Sequence, residues 1–259
     1  MQLTTATVAT ARPHRYQTEG DPALVVLWDL MPIPVTRLLA GQITRVPDWH
    51  PEHDTFAAFP IHIWLVQHPE ATILVDTGVG LHNAVIDDWY GPETVPISEL
   101  LASEGLGPDD IDIVVLTHLH FDHCGQALAI PAPVYIQAAE LEAAQTPGYT
   151  VADWAAIPTS RLRVVEGDAE IAAGVRLLST PGHTPGHQSV VIEDERGTVV
   201  IGGQCAFHGE ELRSGEPADS NLHDETWREA ATVSLARIAA LDPWMVELSH
   251  ADPVGTPPS

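Results

Sequence analysis

Short runs of aliphatic and β-branched residues, each closed by a turn former, set the rhythm of this chain. Ile61–Val66 (IHIWLV) and Ala71–Val75 (ATILV) flank His68-Pro69-Glu70 and predict a hairpin. Ile111–Leu116 (IDIVVL) reads as a buried strand. So do Val134–Ile136, Val175–Leu178, Ser189–Ile192, Thr198–Ile201 and Met245–Leu248. Helical spacing fills the gaps between them. Ile97–Leu106 sets Ile97, Leu100 and Leu101 on one face, with Gly105 and Gly107 as stops, and Ala138–Gln145 is a short alanine- and glutamate-rich helix. Asp224–Leu241 is the strongest helical segment. Asp224 is its cap, and Trp227, Ala231, Leu235, Ile238 and Leu241 form a stripe that reads as a core face.

Strands and helices in this alternation predict an α/β layered domain. No repeat, low-complexity block or Gly/Ser linker divides residues 1–259, so one domain is expected. Residues 1–58 lack clear periodicity and read as a strand or two plus a long loop lying over a cleft. Glu210 to Glu216 reads as an acidic, glycine-containing surface loop.

Composition narrows the chemistry. The chain has 11 basic residues, all of them arginine, against 36 acidic ones, for a net charge of -25. The absence of lysine removes Schiff-base and phosphate-loop lysine mechanisms. So acidic a surface repels nucleic acid and anionic lipid, and no apolar run approaches the ~20 residues of a membrane span. The N-terminal segment is a poor signal peptide, which makes the cytoplasm the expected compartment. Two cysteines, Cys124 and Cys205, are too few for a disulfide framework.

Fourteen histidines are the unusual count, and their placement matters more than their number. His118-Leu119-His120-Phe121-Asp122-His123 follows directly on a predicted buried strand. Imidazole and carboxylate are donors that suit zinc and similar divalent ions. A turn leaving a strand can aim residues i and i+2 at one ion, and its tighter continuation can aim i+4 and i+5 at a second. His183, within Thr180–His187 (TPGHTPGH), also follows a predicted strand, as do His250 and Asp76. Polar groups from separate strands thus converge on one sheet edge, where α/β sites usually lie.

With these residues in view, the sequence resembles the metallo-β-lactamase superfamily. The resemblance rests on Leu74–Gly78 (LVDTG), Thr117–His123 (THLHFDH), Thr180–His187 and His250. Within that superfamily, Val114–Gly125 and Val164–Glu193 are most similar to the N-acyl-homoserine lactone lactonases. The resemblance implies a four-layer αββα sandwich with one or two Zn2+ ions, or other divalent metals, at its edge. His118, His120 and His183 would hold one metal, and Asp122, His123 and His250 the other. Asp122 would have a catalytic part as well. Asp76 would orient a ligand histidine through a hydrogen bond. His120 in place of a glutamate argues against the diiron, oxygen-reducing branch. The implied reaction is attack of metal-activated water on an ester-like carbonyl, with a lactone as the first expectation. A thioesterase, or a cyclase/hydrolase acting on a polyketide- or acyl-derived substrate, is the alternative. A metal-binding protein without turnover is the reading from another class.

Two departures from the family pattern bear on this. Where the superfamily has an aspartate bridging both metals, the turn Ile201–Phe207 has Gln204. A neutral amide is a weaker ligand than a carboxylate, so three options stay open: Cys205 ligates as thiolate, Gln204 ligates weakly, or the second metal is loosely held. Adjacent side chains of an extended turn point opposite ways, so only one of the pair is expected to ligate. Lactonases also carry a tyrosine where this chain has Phe207, and His208 stands next to it. Phe121 and Phe207, with Trp28, Met31, Trp49, Phe56 and Phe59, are expected around a cleft for a small-molecule substrate with an apolar part. Trp64 reads as core, His62 as the stray histidine nearest the site, and His187 as packing behind the metal loop. Cys124 reads as an inert buried thiol. His50, His53, His68, His82 and His223 read as surface residues, and a homodimer is among the expected assemblies.

Overall fold

Alternation within single strands sorts the apolar residues into three separate cores, and those cores define the layers. In a computed structural model that describes residues 32–48 and 56–255, strands β1 (Val35–Ile43), β2 (Phe59–His68), β3 (Ala71–Val75), β4 (Glu93–Thr94), β5 (Ile113–Val115), β6 (Val134–Gln137) and β7 (Leu162–Val165) build one sheet. Its order is β4-β1-β2-β3-β5-β6-β7. Strands β8 (Ala169–Ala172), β9 (Val175–Ser179), β10 (Gln188–Asp194), β11 (Gly197–Gly203), β12 (Met245–Leu248) and β13 (Val254–Gly255) build the second, in the order β13-β12-β11-β10-β9-β8. Both sheets are mixed. β3, β5, β6 and β7 run parallel, as do β11 and β12, while the remaining neighbours are antiparallel.

Trp64, Val66, Ile73, Val75 and Val115 from the first sheet meet Val175, Leu177, Val190, Ile192, Val199 and Ile201 from the second. The intervening residues face outward. Ile63, Leu65, Leu74 and Val114 pack under α1 (Ala84–Tyr90) and α2 (Ile97–Ser103), through Ile86, Ile97, Leu100 and Leu101. On the far side Leu178, Val191 and Val200 pack against Leu235 and Ile238. A period of two along strands buried on both faces therefore produces helix, sheet, sheet, helix: the four-layer α/β architecture expected from the motifs. Each buried Leu, Ile or Val adds about 1.5–3 kcal/mol of transfer free energy.

Elements differ from expectation where local signals were weak. The helix expected at Asp224–Leu241 opens as a 3-10 turn at Glu225–Trp227 before the α-helix Arg228–Ala239, although the Asp224 side chain does cap it by accepting from the Thr226 N–H at 2.8 Å. The expected loop at Glu210–Glu216 is instead a helix, Gly209–Ser214. Its Glu211 is buried, and the carboxylate accepts from the backbone N–H groups of Phe207 (2.7 Å), His208 (2.9 Å) and Ala218 (2.9 Å). Within the region 1–58, where a strand or two plus a long loop is expected, Val35–Ile43 is a strand inside the first sheet, paired with β2. Trp28, Met31, Trp49, His50 and His53 lie outside the described residues. No helix among the described residues is long and apolar enough to cross a membrane.

Candidate metal centre

Five strand ends deliver the candidate residues to one edge. Asp76 follows β3, residues 118–123 follow β5, His183 follows β9, Gln204 follows β11, and His250 follows β12. After His120 the chain turns at once into the one-turn helix α3 (Phe121–Cys124), whose first carbonyl, that of His120, accepts from the N–H groups of His123 (3.0 Å) and Cys124 (3.1 Å). That turn rotates Asp122 and His123 away from the line of His118 and His120. Donor atoms of His118, His120 and His183 lie within 4.8 Å of one another, and so do those of Asp122, His123 and His250. The two trios adjoin, because the rings of His118 and His123 are 4.0 Å apart at their centres.

Hydrogen bonds behind the trios fix which ring nitrogen faces inward. His123 Nδ1 donates to Asp76 Oδ2 at 2.8 Å, His183 Nδ1 to the Asn221 carbonyl at 3.0 Å, and His250 Nδ1 to the Pro60 carbonyl at 2.9 Å. The Asp76 carboxylate also accepts from the N–H (2.7 Å) and hydroxyl (2.8 Å) of Thr117, whose oxygen in turn meets His118 Nδ1 at 3.0 Å. Asp76 holds this position at a left-handed φ of 61°, a conformation a non-glycine residue keeps only when its surroundings enforce it. His118 Nε2 and His123 Nε2 are buried and have no hydrogen-bond partner. Unpartnered ring nitrogens in a buried cluster with a carboxylate are what a divalent cation requires of its donors, so the residues fit a metal.

Electrostatics point the same way. Burial, reinforced by the neighbouring imidazoles, holds His118 and His120 well below the ordinary histidine range. Burial also lowers His183 and His250 to about 3. All four therefore present neutral lone pairs near pH 7. His123 differs. Burial opposes its charge, but the carboxylates of Asp122 and Asp76 outweigh burial and raise its pKa.

The turn after β11 resolves the choice between Gln204 and Cys205 in favour of one direction for each. Gln204 Oε1 lies 3.2 Å from His250 Nε2, at the edge of the acidic trio. Cys205 points the opposite way, into the apolar cluster with Leu178, Val200, Leu235 and Ile238, and burial pushes its thiol up to about 12. The thiolate option is corrected accordingly: the turn that follows Gly203, closed by the Cys205 N–H on the Gly202 carbonyl at 3.0 Å, leaves the sulfur in the apolar cluster, where the surroundings disfavour the anion. Cys124 is likewise buried and raised to about 12.

Two supporting residues, Glu140 and Asn221, carried no recognisable signal in the sequence. Glu140, in the helix Ala138–Ala143, is fully buried. Its carboxylate accepts from the Leu119 N–H (2.8 Å), the Thr184 hydroxyl (2.7 Å), the Gly186 N–H (3.1 Å) and the Tyr149 hydroxyl. One side chain thus ties the His118–His120 loop to the His183 loop, and Gly186 is needed there because a Cβ would fall 2.1 Å from the Glu140 nitrogen. His187 sits behind the site with its Nδ1 at Thr180 and its Nε2 accepting the Gln204 N–H at 3.1 Å. Asn221 donates its side-chain N–H to the Gln204 carbonyl at 3.2 Å. A lone buried carboxylate in an alanine-rich helix is found from sequence only as an oddity of polarity.

At the mouth, Phe59 and Phe207 pack on His250 with ring centres 4.7 and 5.1 Å away, and Phe56 continues the aromatic row 5.7 Å from Phe59. Phe121 pairs with Tyr90 at 4.6 Å. His208 is exposed beside Phe207. His62 stays outside both trios, with Nδ1 2.9 Å from the Ser249 carbonyl and 3.0 Å from Arg37. Trp64 is fully buried between the sheets. His82 and His223 are exposed.

A family model described as the metallo-beta-lactamase superfamily matches residues 57–250, which span every donor of both trios. The chain belongs to the metallo-beta-lactamase superfamily. Within it, the chain is 37% identical over 155 residues to an N-acyl homoserine lactonase of a Bacillus species, a match covering 55% of this chain and 62% of that one. It is 34% identical over 172 residues to an N-acyl homoserine lactonase of Bacillus thuringiensis, covering 61% and 68%. The chain therefore matches somewhat under two thirds of the length of the Bacillus species relative. Among solved structures, an N-acyl homoserine lactone hydrolase with the product N-hexanoyl-L-homoserine bound at its catalytic metal centre has a TM-score of 0.71 and 26% identity, covering 85% of this chain and 94% of that one.

Proposed function

We propose that this protein is a metal-dependent hydrolase that opens the ring of a lactone carrying an apolar acyl chain, of the N-acyl homoserine lactone type. The observation that carries the reading is the pair of adjoining trios, His118/His120/His183 and Asp122/His123/His250, at the strand ends of a chain similar to lactonases. These six residues would hold the metal, and zinc is the ion that their imidazole-rich set favours. When bound, such a centre supplies water made acidic at neutral pH and a Lewis acid for the ester carbonyl. The chain's own groups do the rest. Asp76 keeps His123 in the tautomer whose Nε2 faces the trio, and Asn221 and Pro60 do the same for His183 and His250. Phe59 and Phe207 offer an apolar wall for the acyl chain. Asp122, the one carboxylate among the six residues, is the group that would take the proton lost by the attacking water. That proton then goes to the alkoxide released as the acyl C–O bond breaks.

The acidic surface supports a neutral or cationic small-molecule substrate over nucleic acid, and the protein is proposed to act in the cytoplasm, as a monomer or a homodimer. Lactone opening by zinc-loaded protein, followed by pH-stat and compared with a thioester panel, tests the reading. Proton release from acyl lactones, abolished by chelator and restored by zinc, is the expected result. Turnover of thioesters alone would instead establish the thioesterase alternative, and a metal-loaded protein inert on both panels would leave only binding.

A further inference from the structure

The charge around the two trios is one-sided. Among the six donors there is a single carboxylate, Asp122, and five imidazoles. Imidazole ligates a metal as a neutral donor, so the six residues bring one negative charge, that of Asp122, to the site. Asp76 adds a second, one bond removed, but its oxygens are already committed to Thr117 and His123. Two divalent cations would bring +4 into the same space. The remaining side chain aimed at the centre from the fifth strand end is Gln204, 8% exposed and neutral.

Gln204 is not loosely placed. Its backbone N–H is held by His187 Nε2 at 3.1 Å, its carbonyl by Asn221 at 3.2 Å, and its Oε1 faces His250 Nε2 at 3.2 Å. Through the Asn221 carbonyl it is also coupled to His183 of the neutral trio, at 3.0 Å. Whatever occupies position 204 thus sets the charge beside the acidic trio. An amide oxygen can donate a lone pair, but it cannot offset the repulsion of two cations with little water between them.

We propose that Gln204 makes the centre unequal, so that the protein binds one divalent cation tightly and the second far more weakly, as an exchangeable ion. The inference rests on the two trios being the metal donors. It assigns Gln204 as the residue that sets occupancy.

Calorimetric titration of chelator-stripped, full-length protein with Zn2+ tests it. The expected isotherm has one tight step and a second at least ~100-fold weaker, a gap at the upper end of what supporting-shell changes do to metal affinity. Gln204→Asp should bring the second step to within ~10-fold of the first, while Gln204→Asn, which keeps the amide, should not. Two steps of equal affinity in the unaltered protein overturn the proposal. So does a Gln204→Asp protein that melts like its parent without metal yet keeps the gap. If Gln204→Asp fails to fold, Gln204→Glu is read by the same criteria, and the parent isotherm alone still decides. No zinc binding by the parent overturns the donor reading itself, a result distinct from two equal steps.

Discussion

Asp76 does more for this protein than its single motif position suggests. It accepts three hydrogen bonds while holding a left-handed backbone, and one of them fixes the His123 ring. Asp76→Ala should leave the Thr117 N–H and His123 Nδ1 unpaired in a dry interior, at about 1–3 kcal/mol each. It should also weaken zinc binding by about 10–100-fold. Urea denaturation of the metal-free protein separates the first effect from the second, which a zinc titration reads. Glu140 predicts a different signature, since it touches loops and not donors. Glu140→Ala strands the Leu119 and Gly186 N–H groups and should cost about 3 kcal/mol or more. Tyr149→Phe, which removes one of the four bonds, should cost about 1–2 kcal/mol. Because the two share a bond, the double variant should be less unstable than the sum, measured in a double-mutant cycle.

Strands closed by a motif were the legible part of this chain, and the physical reason is local. Ala71–Val75 and Met245–Leu248 match their observed bounds because each is an apolar run ended by a polar turn. β7 and β8 escaped notice because Leu162–Val165 and Ala169–Ala172 are half-exposed sheet-edge strands whose side chains alternate only weakly. The helix Ala84–Tyr90 was missed although Asn83 caps it, accepting from Val85 (3.0 Å) and Ile86 (3.1 Å), and Gly91 ends it at a φ of 51°. Seven residues give too few turns for periodicity to stand out. The metal motif was legible because its donors are contiguous. The direction of Gln204 and Cys205 was not, since it depends on His187 and Asn221, contributed by other segments. The stripe on Arg228–Ala239 predicts a clean separation of stability from chemistry. Leu235→Ala, buried at 1% exposure against the outer face of the second sheet, should cost about 2–5 kcal/mol by urea unfolding. Below its new melting point, zinc stoichiometry should stay that of the parent.

Taken together, the buried histidines whose pKa is lowered make the folded protein acid-sensitive in a defined window, and they outnumber His123, whose raised pKa acts the other way. His183 and His250 drop from an ordinary value of 6.5 to about 3 on folding, so the unfolded chain binds more protons between those values. Their contribution to stability is full above about pH 6.5 and is lost as pH falls toward 3, with His118 and His120 acting in the same direction. Metal-free protein should therefore show a melting temperature that declines steadily from pH 7 to pH 4. Saturating zinc should flatten the upper part of that decline, because a cation competes with protons for the same nitrogens. A metal-free melting temperature flat across that range would contradict the burial of neutral rings.

The bond from His250 to the Pro60 carbonyl spans 190 positions of the chain. On the ribosome, where chains emerge N-terminus first, His118, His120 and His183 are all exposed to the cell while the segment bearing His250 is still untranslated. The acidic trio therefore closes only once β12, a strand of the second sheet, is in place and brings His250 to the Pro60 carbonyl of β2.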